Sequence, residues 1–149
     1  MNKTYASTII LCMVFFFATA THAQPTTELI ERLITASEKA RQPDMQIHDV
    51  ETYLAFLSED LIDYHAAFNR TFSGKAHLRK GIVNKAASMV SISENIESII
   101  LGTDTAIVVV NEDSKYYKKG ELKYFKGRTI LVLEFNQQGL ISQMRRYLD

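Results

Sequence analysis

Three features of the chain predict an α+β domain. Between Thr27 and Val90 apolar residues recur three and four apart, the period of helices that bury one face. After Ser91 that period gives way to long runs of branched and aromatic residues. Short turns separate those runs: Gly102-Thr103-Asp104, Lys118-Lys119-Gly120 and Asn136-Gln137-Gln138-Gly139. Helices first and a strand meander second put the helices on one face of an antiparallel sheet.

The first helix is expected from about Thr27 to Arg41, with Ile30, Leu33, Ile34 and Ser37 on its buried face and Pro43 ending it. Asp49 is placed to cap a second helix whose buried stripe is Val50, Tyr53, Leu54 and Leu57. Leu61 to Ala67 changes period and reads as a short strand, followed by a loop to Ser73. Ser73-Gly74 then opens a third helix with Leu78, Ile82, Ala86 and Val90 on one side. The meander follows as Ile96 to Leu101, Thr105 to Tyr117, Glu121 to Phe135 and Leu140 to Leu148. In the second of these runs Ala106, Val108 and Val110 alternate with Ile107 and Val109, so both sheet faces are apolar and both need cover.

Residues 1–23 read as a secretory signal peptide: Lys3, an apolar run from Ile9 to Phe17, and a small-residue exit ending at Ala23. The run is too short for a permanent span, which takes about 20 apolar residues. Cleavage after Ala23, or alternatively after Ala20, makes the protein periplasmic or secreted. Residues 24–149 then form the single mature domain, which is long enough for a core of its own. Cys12 is the only cysteine and lies inside the leader. The mature chain therefore has no disulfide, thiolate nucleophile or cysteine metal site, and rests on its core alone. Without Lys3, 16 basic residues face 17 acidic ones. That balance gives no electrostatic reason to expect nucleic acid, or a membrane after leader removal, as a partner.

Three stretches resemble the nuclear transport factor 2-like superfamily, and especially its SnoaL-like branch. They are Phe56 to His65, Phe72 to Arg79, and Leu133 to Ile141 running on to Tyr147-Leu148-Asp149. The shared pattern is a helix into a first strand, a Gly-initiated helix, and a Gly turn into a last strand ending Tyr-x-Asp. The resemblance implies a cone-shaped curved antiparallel sheet, with about three helices packed on its concave face over a pocket. It also implies a homodimer through the opposite face, where Ile130 and Val132 stand against Leu131 and Leu133 of the inner side. Function is not implied, because this fold hosts enzymes, ligand binders and interaction modules.

Asp63 and His65 stand two apart on the first strand and so share a face. The resemblance places His65 where ketosteroid isomerase relatives carry their catalytic carboxylate. A histidine there can act as a base near neutral pH, with Asp63 orienting it. The alternative is that both line the solvated end of the strand. The isomerase's donor tyrosine has no counterpart, since Thr27 to Arg41 contains none, and Leu131 stands where its oxyanion-hole aspartate would be. Arg145-Arg146 replaces the Arg-Asp pair of limonene epoxide hydrolase relatives, so that scheme lacks its acid.

Met144, Arg146 and Leu148 share one face of the last strand, and the resemblance turns that face inward beside Leu131 and across from His65. Together with Tyr64 they form the expected ligand site, apolar with one cation. An inward Arg146 then needs an acid partner such as Asp63. His48, His65 and His77 have no spacing suited to a metal, and no cofactor is implied. Lys115 to Gly120 and Lys123 to Arg128 interleave bases with aromatics, a pattern that a solvated hairpin with lysines guarding its edge explains without nucleic acid.

Overall fold

A computed structural model describes residues 24–149; the expected leader and Cys12 lie outside the described residues. Helix α1 runs over Thr27–Ala40 and buries Ile30, Leu33, Ile34 and Ser37 as the spacing predicts. Thr26 caps it, its Oγ1 accepting from the Leu29 amide at 3.1 Å. This cap satisfies a donor that the first turn leaves free. Thr26→Ala is expected to cost about 1 kcal/mol of stability, read as a lowered urea midpoint at unchanged slope.

Helix α2 covers Ile47–Leu54, and its cap is Gln46 rather than Asp49. Asp49 sits inside the first turn and reaches back, its Oδ2 accepting from the Gln46 amide at 2.8 Å. A carboxylate at that third position completes a capping box, so the acid marks the helix start from within it.

Strand β1, Leu57–His65, begins four residues before the period change, because Leu57 and Leu61 both face the core. A single turn at Ala66–Phe68 and a left-handed Asn69 reverse the chain into β2, Arg70–Ser73, where the sequence suggests only a loop. Gly74, at φ 79°, turns the chain into α3, Lys75–Ala86. Only Ile82 and Ala86 of that helix are buried, and Val90 falls outside it.

The meander consists of β3 (Met89–Leu101), β4 (Thr105–Lys118), β5 (Glu121–Phe135) and β6 (Ile141–Leu148). β3 starts seven residues earlier than Ile96, and the other three lie within about one residue of expectation. The strand order is β2-β1-β6-β5-β4-β3. Every pairing is antiparallel except β1 with β6, which is parallel. Such a pairing needs a long connection, here everything from β2 to β5. Register shifts in β1, β3 and β6 mark bulges, which curve the sheet.

The core lies between the concave face and α1 and α2, where Ile30, Val50, Leu57, Val108, Leu133 and Ile141 are at most 1% exposed. On the convex face Ile107, Ile130 and Val132 are only half-buried, and Arg145–Glu134 and Arg128–Glu97 ion pairs flank them.

Candidate functional site

Strand alternation and the β1–β6 register build the site. Asp63 and His65 point inward from β1, and the parallel pairing sets His65 beside Arg146 of β6. Arg146 donates to Asp63 through Nε at 3.0 Å and a terminal nitrogen at 3.3 Å. His65 Nε2 lies 3.1 Å from the same carboxylate's Oδ2. Asp63 is thus held from two sides and is almost wholly buried.

Burial raises the Asp63 carboxyl's pKa, but the His65 hydrogen bond and the charge and hydrogen bonds of Arg146 outweigh it. The group stays below the ordinary carboxylate range. For Arg146 burial works against the charge, and Tyr53 and Asp63 more than offset it, so the guanidinium is held above its ordinary value. Tyr53 comes from the buried stripe of α2. The His65 ring meets Phe72 edge-on at 5.5 Å, and Phe72 stacks on His77 of α3 at 4.3 Å.

These groups open onto a cavity of about 690 Å³ between the helices and the sheet. Its wall includes Leu33, Ile34, Ile82, Val110, Leu131 and Met144, with Leu148 half-exposed at the mouth. The expected residues Asp63, His65, Leu131, Met144, Arg146 and Leu148 therefore meet at one place. Tyr64 does not join them: it faces the other side of β1, its hydroxyl 3.4 Å from Asn69 Oδ1. Arg145 also faces outward, 2.9 Å from Glu134, so the strand register that turns Arg146 inward holds.

Sequence reasoning missed a second polar cluster in the same cavity. Arg41, just past α1, pairs with Glu94 of β3 and lies 3.1 Å from Glu112 of β4. Its Nε donates to the Ser37 carbonyl at 3.2 Å, and Ser114 Oγ donates to Glu112 at 2.9 Å. A signal was available, because the alternation that turns Ala106, Val108 and Val110 inward continues to Glu112 and Ser114. His48 lies 3.2 Å from Asp49 and does not line the cavity. Among the described residues no three His, Cys, Asp or Glu side chains are grouped to hold a metal ion.

A curved six-stranded sheet wrapped over helices, with a cavity opening on its concave side, is the fold also seen in solved SnoaL-like and nuclear transport factor 2-like proteins. No family model and no curated protein matches the sequence, and the likeness rests on solved structures. A candidate SnoaL-like polyketide cyclase from Shewanella putrefaciens aligns with a TM-score of 0.65 at 16% identity, over 80% of this chain and 88% of that one. A nuclear transport factor 2-like protein of unknown function from an Exiguobacterium species aligns at 0.67 with 11% identity, over 80% and 97%. An LEH-like epoxide hydrolase of M. tuberculosis aligns at 0.60 with 18% identity, over 79% and 80%. At such identities the likeness fixes the fold and not the chemistry.

Proposed function

We propose that the mature domain binds a small, partly apolar molecule in this cavity, outside the cytoplasm. The observation that supports this most is an apolar cavity of about 690 Å³ with a few convergent polar groups, the usual build of a small-molecule site. Asp63 already balances Arg146, so an anionic ligand competes with that carboxylate, whereas a neutral polar group can share its partners. A panel of metabolites added to the purified mature protein should contain compounds that raise its melting temperature, since a ligand selective for the folded state stabilises it. Arg146→Met, which leaves the Asp63 carboxylate without its cation, should weaken anionic ligands more than neutral ones of the same shape. A cavity-sized panel that leaves the melting temperature unmoved counts against the reading.

The contact between His65 and Asp63 favours a second reading, proton transfer on a carbonyl compound. With Asp63 accepting from Nε2–H, the imidazole's lone pair is on Nδ1, and that atom takes the proton. A turnover unchanged by His65→Ala rules this out. We further propose that the half-buried apolar centre of the convex face is covered by a second copy of the chain. Light scattering at micromolar concentration distinguishes the dimer from a monomer.

A further inference from the structure

Gly127 lies in the middle of β5 opposite Glu112, and its φ is not positive, so no turn requires a glycine there. What requires it is Phe125, two residues back on the same face. A methyl group at position 127 would lie 2.5 Å from Phe125 Cζ and 3.1 and 3.2 Å from its two Cε atoms. The ring therefore lies down across the bare glycine backbone instead of standing up from the sheet, and it forms part of the cavity wall.

This wall is at the hairpin end of the cavity. Leu131 pairs with Arg146, and the Phe125 ring lies over Gly127, four residues away along β5, about 13 Å at ~3.3 Å per residue. Thr129 and Val110 line the way between, the Arg41–Glu94–Glu112 cluster stands abreast of Gly127 on one side, and Met89 and Tyr116 lie beyond.

We propose that the Gly127–Phe125 pair sets the length of ligand the cavity accepts, and that the fitting class is a straight apolar chain with a small polar head. This rests on the cavity-binding reading above. Lying flat, the ring takes the least of the cavity that it can, and any side chain at 127 lifts it further in and shortens the space. Because the obstructing atoms belong to the far end of a side chain, the ring yields before the backbone does, and Gly127→Ala should fold.

The test is a series of straight-chain alcohols from hexanol to decanol, scored by melting temperature and by displacement of anilinonaphthalene sulfonate. In the unmodified protein each added methylene should tighten binding about fourfold, the effect of burying one CH₂. In Gly127→Ala the gain should stop at a shorter alcohol while the short ones still bind. Phe125→Ala/Gly127→Ala, with no ring to lift, should recover the long ones. Equal length profiles in Gly127→Ala and the unmodified protein overturn the proposal. Should Gly127→Ala fail to fold by circular dichroism, Phe125→Ala alone decides: it must extend the accepted length, and an unextended profile overturns the proposal. If the unmodified protein binds no alcohol at all, the cavity-binding reading falls with it, and that failure shows before any substitution is made.

Discussion

Asp63→Ala is expected to cost about 3–5 kcal/mol of unfolding free energy, the usual penalty for leaving a buried charge without its partner. Arg146 reaches the carboxylate through two nitrogens, and its side chain keeps only 22% of its exposure. Removing the acid strands that cation among Tyr53, Leu131 and Met144. Asp63→Ala/Arg146→Met, which removes both charges and keeps the volume of one, should recover most of the loss. A single-variant loss below about 1 kcal/mol would mean that Arg146 finds water, as surface pairs do.

The same pair predicts a pH dependence. The folded pKa of Asp63 lies below its ordinary value of 3.8, so its contribution is fully present above that value and is lost as the pH falls through the lower, folded one. The acid limb of the stability curve should flatten in the double variant, which urea melts between pH 5 and pH 2 can show.

Arg41→Ala should have a comparable effect, again about 3–5 kcal/mol, for the opposite reason: one cation holds two acids. Glu94 retains only 8% of its side-chain exposure and Glu112 19%, and both lean on the same guanidinium. Burial opposes the Arg41 charge, yet Glu94 and then Glu112 outweigh it and raise its pKa above the ordinary value. Without Arg41 two neighbouring carboxylates remain, paired directly across β3 and β4. Glu112→Gln should be much milder, because Arg41 keeps Glu94. Equal losses for the two substitutions, measured by urea denaturation, would show that the cluster does not act as one cation between two acids.

What the sequence could and could not reveal follows from the range of each interaction. β4, β5 and β6 were legible because their turns are local and glycine-bearing, although a bulge after Ile141 breaks the alternation of β6. β2 was not, since Arg70–Ser73 has no apolar pattern of its own and exists only as the partner of β1. Asp49 misled because an acid at the third helical position and an acid at the cap look alike in sequence. The Asp63–Arg146 partnership was readable from two face assignments and the cost of an unpaired buried cation. Arg41 was not, because it lies at the end of an amphipathic helix, where a surface charge is ordinary; only the folded sheet brings Glu94 and Glu112 beneath it.

The parallel seam between β1 and β6 has a kinetic consequence. Its partners are far apart along the chain, with 83 residues separating Asp63 from Arg146. Closing so long a loop must precede the contacts that reward it, which places this chain among slow-folding topologies. A chain that emerges N-terminus first can assemble the β1–β2 hairpin and the β3–β5 meander early, but the two remain separate until β6 arrives between them. β6 is thus the keystone, made after both halves and joining them. A nascent chain stopped before Ile141 would present two open edges where the finished sheet has a seam, a window in which the unfinished chain is exposed to edge-to-edge pairing with other copies.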